Sequence, residues 1–222
     1  MGNKKIVLFY VLILIGIPFI YAAYLYPNLP AVIPTHFNIK GEADGFGGKD
    51  SIYLGPIIFG IASLFTYFLL ANIKNFDPKR TQQLDDGLFQ KFGFLTVLFL
   101  SVLSLVLLYA TTHQGIPIEK LLFPMLGLAF AAMGIYMPKI KQNYFAGFKL
   151  PWTLDNEDNW NATHRIAGKA WLYGGIFQFI AGIAFSSVTS FVIFFIDMII
   201  MVLVPTIYSY RMFKNGNKDS HN

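Results

Sequence analysis

Residues Phe191–Tyr208 read FVIFFIDMIIMVLVPTIY, with one charged residue, Asp197, and one proline, Pro205. Polar and apolar positions do not alternate, so neither a half-buried strand nor the solvent face of an amphipathic helix fits. A lipid bilayer does, because its core is crossed by about 20 largely apolar helical residues. The pattern recurs at Ile6–Tyr26, Ile52–Ile73, Phe92–Ala110, Leu121–Pro138 and Ala170–Phe185. The last of these is short, and a helix entering from Asn156 lengthens it. Composition agrees: of 222 residues, 55% are hydrophobic and only 13% charged, where a soluble domain carries about a quarter. Mean hydropathy is +0.52. Lipid cannot satisfy bare backbone groups, so the spans must be helices. The expected fold is an all-α integral membrane protein, with six transmembrane helices in one domain over residues 1–222.

A net charge of +5 would raise nucleic acid as a partner for a soluble protein. Here the positive-inside rule accounts for it. With the N-terminus inside, of the 17 Lys and Arg only Lys40, Lys49 and Lys120 fall in outer segments. Both termini are therefore expected in the cytoplasm, with residues 27–51 outside and 139–169 inside. Direct nucleic-acid binding is not expected. The opening MGNKK and its apolar run resemble a secretory signal. The run is longer than a signal core and five more spans follow, so a retained first helix is expected. The absence of cysteine excludes disulfides and thiolate metal sites.

The outer loop carries an alternation. Ile33, Thr35, Phe37 and Ile39 interleave with Pro34, His36, Asn38 and Lys40, which predicts a short strand presenting His36, Asn38 and Lys40 on one face. Gly41, Gly45, Gly47 and Gly48, with Asp44 among them, read as turn residues tolerating positive φ. The expectation is a compact ordered loop over the outer helix ends, either a recognition surface or a cap. Glu42, Asp44 and Asp50 lack calcium-loop spacing, and a lone His36 is no metal site. No metal or cofactor is expected.

The inner segment LPWTLDNEDNWNATHRIAGKAW, Leu150–Trp171, is dense in polar and aromatic residues. Pro151 holds Leu150 extended. Asp155 or Asn156 can cap a helix whose first turn carries Glu157 and Asp158. Helical spacing aligns Glu157, Trp160, His164, Gly168 and Trp171 on one face, with Asn161 and Arg165 flanking. This interfacial helix is expected to run into the fifth span and to dock a partner or neighbouring loops. Trp152, Trp160 and Trp171 belong near the headgroups. Asp77-Pro78 reads as another helix start.

Inside the spans, Pro18, Pro56, Pro124 and Pro205 are candidate kinks. Gly127 with Gly134, and Gly175 with Gly182, form small-residue stripes for close helix packing. Asp197 should face the bundle, because a charge at mid-bilayer costs about 2.5–3.5 kcal/mol by insertion scales. Counting from a hairpin centre near Val188 puts Gln178 at its depth, as a hydrogen-bond partner.

Two strings together resemble a known family: LP..IPTHFN..G..DG.G.K, Leu29–Lys49, and NYFAGFKLPWTLDNEDNWNATHRIAGKAW, Asn143–Trp171. They look like the SdpI family of bacterial membrane immunity proteins, and the first string resembles a small domain of unknown function found in that family. The resemblance implies a multi-pass protein of the bacterial cell membrane that protects against a secreted antimicrobial peptide toxin. It also implies signalling through a cytoplasmic transcriptional repressor. The matching inner positions are Pro151, Trp152, Thr153, Leu154, Asn156, Glu157, Trp160, Thr163, His164, Arg165 and Gly168. Where the family reads Arg-Thr before Pro-Trp, this chain has Lys149-Leu150, which keeps the charge without the bidentate fork.

The expected partners are thus membrane lipid, a peptide toxin and a repressor. The expected contact residues are His36, Asn38 and Asp44 outside, Lys149, Trp152, Asn156, Glu157, Trp160, His164 and Arg165 inside, and Gln178 and Asp197 within the bilayer. Binding rather than catalysis is expected. Two alternatives stand beside it: a small proton- or cation-coupled transporter centred on Asp197, and a membrane enzyme using Glu157 and His164.

Overall fold

The computed structural model describes residues 2–38, 42–76, 86–113 and 118–219. Asp77-Pro78 and the loop positions Ile39, Lys40 and Gly41 lie outside them. Among the described residues six helices are long and apolar enough to cross a membrane. In chain order the helices are α1 (Gly2–Leu25), α2 (Leu54–Ala71), the short α3 (Ile73–Phe76), α4 (Asp86–Thr112), α5 (Glu119–Tyr136), the short α6 (Pro151–Asp155), α7 (Glu157–Ala184) and α8 (Ser187–Asp219). Between α1 and α2 lie two strands, β1 (Val32–Phe37) and β2 (Ala43–Gly48). Large apolar side chains line the outward faces, Ile196, Ile199, Ile200 and Leu203 of α8 among them. A face this apolar fits hydrocarbon and not water.

The chain divides into two compact units, residues 2–76 with 86–122, and residues 123–219. In the first, α1, α2 and α4 pack around Val11, Tyr67 and Val97. At one end of this unit Ile33 of β1 is buried with Ala22, Ile52 and Leu108, so the loop is tied to the helices by its own apolar anchor.

The strands pair antiparallel, Val32 opposite Gly48 and Phe37 opposite Ala43. Two expectations change here. The glycines form a strand and not a turn, and none of Gly45, Gly47 and Gly48 has positive φ. Two of them are small because neighbours come close: a Cβ on Gly45 would sit 2.8 Å from the His36 Cβ, and one on Gly47 2.6 Å from Ser51 Oγ and 3.0 Å from Thr35 Cγ2, whereas one on Gly48 would meet nothing within 4 Å. The alternation in β1 also breaks. Ile33 and Pro34 are both buried while Thr35 and His36 are exposed, because the register slips between Pro34 and His36 and leaves Thr35 as a bulge residue.

In the second unit α5, from Phe123 on, packs against α7 through the glycine stripes. A Cβ on Gly127 would lie 2.4 Å from Phe179 N, one on Gly134 2.3 Å from Leu172 N, and one on Gly175 2.3 Å from Ala131 N. Gly182 faces the Pro124 ring in the same way. The backbones are in contact, so the stripe is a packing device, as the seven-residue spacing predicts.

Two helix-interior prolines, Pro18 and Pro205, follow one rule. Proline at position i leaves the carbonyl at i−4 without its helical donor. In α1, Pro18 frees the Leu14 carbonyl, and Ser101 Oγ of α4 donates to it at 2.6 Å. In α8, Pro205 frees the Met201 carbonyl, and Trp171 Nε1 of α7 donates to it at 3.2 Å. Each opened helix is thus fastened by a neighbour, which in lipid substitutes for the missing water. Pro56 is different: it falls in the first turn of α2, where a missing N–H leaves no helical bond unmade.

Candidate functional site

The β1–β2 surface carries the predicted loop residues. His36 Nδ1 meets Asp44 Oδ1 at 2.5 Å across the strands, with side chains 72% and 45% exposed. Asn38 Nδ2 donates to Glu42 Oε2, and the Asn38 carbonyl oxygen of the side chain accepts from Glu42 N. His36, Asn38 and Asp44 therefore share one end of the hairpin and hold its shape while staying open to contact. At the base, Tyr26 Oη donates to Asp50 Oδ1 at 2.5 Å and Lys49 Nζ lies 4.5 Å above the Tyr26 ring.

The inner segment is built around His164. Asn156 caps α7, its side chain accepting from Asn159 N at 2.7 Å, and α7 runs unbroken from Glu157 through the fifth span to Ala184. His164 is wholly buried. Its Nδ1–H donates to the Trp160 carbonyl at 2.8 Å, so Nε2 is the acceptor and takes the Phe148 backbone N–H at 3.2 Å. Its ring stacks on Trp160 at 4.1 Å, and Trp160 Nε1 donates to the Ile140 carbonyl at 2.8 Å.

The chain before α6 is wrapped onto this centre. Asn143 accepts from Phe145 N and Ala146 N, both at 2.8 Å, and donates to the Lys141 carbonyl. Gly147 then turns with φ +112, where a Cβ would collide with His164 Nε2. Only glycine meets both demands there. Thr153 Oγ1 donates to the Phe148 carbonyl at 2.6 Å and accepts from Leu150 N. Gln142 Nε2 donates to the Thr153 carbonyl at 2.7 Å.

A second node joins α6, α7 and α8. Trp152 Nε1 donates to Ser209 Oγ at 2.7 Å, Ser209 Oγ donates to Asn159 Oδ1 at 2.8 Å, and Thr163 Oγ1 donates to the same oxygen at 3.0 Å. Trp152 also stacks on Phe213 and meets Tyr210 edge-on.

The expected contact face is thus two surfaces. Trp160, His164 and Gly168 are interior, with their polar atoms committed within the chain. Lys149, Asp155, Asn156, Glu157, Asp158, Arg165 and Lys169 remain exposed. The physical reason is that the wrapped loop covers the Trp160 and His164 rings and Pro138 covers Gly168. Glu157 and His164 are not an acid/base pair: one is exposed, the other enclosed, and seven residues of helix separate them by about 10 Å. Sequence reading missed Gln142, Asn143, Gly147, Asn159 and Ser209. An asparagine four residues before a glycine, ahead of Pro-Trp, was the available signal of a built turn.

Gln178 and Asp197 are both in the second unit. Gln178 is wholly buried, with neither amide atom partnered, and Asp197 is 7% exposed with Oδ2 unpartnered. The expected bond between them is absent. The hairpin turns at Phe185-Ser186 and not near Val188. Ser190 Oγ donates to the Ala181 carbonyl, Asp197 faces Gly174, and Met201 faces Trp171. Asp197 therefore sits one helical turn from the level of Gln178.

Residues 139–209 match the SdpI/YfhL protein family, and residues 13–60 match a domain of unknown function, DUF1648. The Immunity protein SdpI of Bacillus subtilis (strain 168) is 26% identical over 207 residues, covering 93% of this chain and 95% of that protein. An uncharacterized protein of Archaeoglobus fulgidus is 39% identical over 51 residues, 23% of this chain and 28% of its own length. No solved structure matches. The His164-centred fold of the inner segment lies inside the first matched region, and the β1–β2 hairpin inside the second. The chain is a multi-pass membrane protein, and by these matches a relative of the SdpI/YfhL family.

Proposed function

We propose that this protein is a membrane immunity protein that protects its cell against a secreted antimicrobial peptide. The observation that carries the reading is the likeness to Immunity protein SdpI over 93% of the chain, which spans both the hairpin and the inner segment. The mechanism is binding. The hairpin, with His36, Asn38 and Asp44, faces outside and meets the peptide. The exposed rim of the inner segment, Lys149, Asn156, Glu157 and Arg165, faces the cytoplasm and meets a regulator. The charge distribution along the sequence supports this orientation, and the exposure of these residues supports contact.

The test is survival. Sensitive bacteria carrying the gene or an empty vector are challenged with a membrane-active peptide secreted by a producer strain. Protection that tracks expression supports the reading. Equal killing with and without the protein, across the peptides of its own producer, contradicts it.

A further inference from the structure

We propose that Asp197 and Gln178 are the protein groups of an internal, water-bridged proton site in the second unit. This goes beyond the immunity reading and stands independently of it. Buried polar atoms in folded proteins nearly always have a hydrogen-bond partner. Here Gln178 Nε2, Gln178 Oε1 and Asp197 Oδ2 have none among the described residues. All three belong to the paired helices α7 and α8.

The geometry sets the ligand's size. Asp197 lies against Gly174, one turn along α7 from Gln178, and a helical turn rises about 5.4 Å. One bridging water, with hydrogen bonds of about 2.8 Å at its near-tetrahedral angle, joins groups about 4.5 Å apart, close to one turn. Gly174 admits the Asp197 carboxyl against α7: a Cβ there would lie 2.7 Å from Asp197 Oδ1 and 3.0 Å from Met201 Sδ. Gln178 both donates and accepts, so it serves water in either orientation.

The surroundings set the ligand's charge. On α7, Trp171 and Gly174 face α8 near this level, Gln178 follows at helical spacing along that stripe, and Tyr173 points outward, 67% exposed. On α8, Ile193, Phe194 and Met201 flank Asp197 by one turn. The α5 segment from Phe123 to Gly134, packed on α7, contains no titratable or charged residue. No cation of this unit's described helices is placed to balance a carboxylate at Asp197, and an unbalanced charge in lipid is costly. A proton balances it and needs no more room than the bridging water.

The experiment is carbodiimide labelling of the full chain in lipid vesicles, read by peptide mass spectrometry. A hydrophobic carbodiimide adds to protonated carboxyls in apolar surroundings. The site predicts an adduct on Asp197 that falls about tenfold per pH unit once the carboxyl ionises. Asp197→Asn removes the adduct. Gln178→Leu, or Gln178→Ala if that variant does not fold, moves the midpoint by about one pH unit or more. No adduct on Asp197 at any pH where the protein stays folded overturns the site, as does pH-independent labelling. An unchanged midpoint in the folded Gln178 variant removes Gln178 from it.

Discussion

Replacing His164 by alanine tests whether one buried ring holds the inner segment together. The side chain is wholly buried and accepts the Phe148 N–H through Nε2. Truncation leaves that N–H unpaired, at about 1–3 kcal/mol, and loses the Trp160 stack, at about 0.5–1.5 kcal/mol. The Trp160 carbonyl keeps its helical donor and adds little. The expected loss is about 3 kcal/mol, concentrated in residues 143–153, and corresponds to roughly 150-fold in a local opening equilibrium. Hydrogen–deuterium exchange on the solubilised protein reads this directly, as faster exchange of the peptide containing Phe148 while the α1–α4 peptides stay unchanged. His164→Gln keeps an acceptor on the Phe148 side and should recover part of the protection. Exchange within about threefold of wild type in His164→Ala would refute the assignment, since that is under 1 kcal/mol.

Other perturbations follow from the packing. Ser101→Ala strips the donor from the Leu14 carbonyl and should cost about 1–3 kcal/mol in thermal or denaturant unfolding. In a Pro18→Ala background the restored helical N–H should cancel most of that cost, a coupling visible in a double-mutant cycle. Gly134→Ala forces a Cβ to 2.3 Å from Leu172 N and should lower stability by about 1–3 kcal/mol. Gly16→Ala meets nothing within 4 Å and should raise stability by about 0.5–1 kcal/mol through helix propensity, so the pair separates close packing from glycine content by melting temperature alone.

Long-range pattern was legible and local stitching was not. Runs such as Phe191–Tyr208 announce spans because lipid demands continuous apolar surface, and the glycine spacings announce packing because helical period maps them to one stripe. The helix cap was narrowed to Asp155 or Asn156, of which Asn156 is the cap. The hairpin was half read: a strand at Ile33 follows from alternation, but the bulge at Thr35 and the strand role of Gly45 and Gly47 depend on what lies opposite. The inner face was aligned correctly, and its covering was invisible, since the turn at Asn143–Gly147 brings Phe148 onto His164, sixteen residues further along the chain. Depth matching of Gln178 and Asp197 failed by one turn because the hairpin pivots at Ser186, a position that composition alone does not mark. The family strings were legible because they are distinctive, and their matched residues prove to be divided between those that build the segment and those left on its rim.

The central claim is protection by binding, with the exposed hairpin residues meeting the peptide. Its most direct measurement is a killing curve of sensitive cells expressing wild-type protein, His36→Ala/Asp44→Ala or Glu157→Ala, at matched membrane levels. The account predicts that wild type and Glu157→Ala survive alike, while the hairpin variant shifts toward the empty-vector curve. Undiminished survival of the hairpin variant, or death of wild-type cells alongside the empty vector, would contradict it.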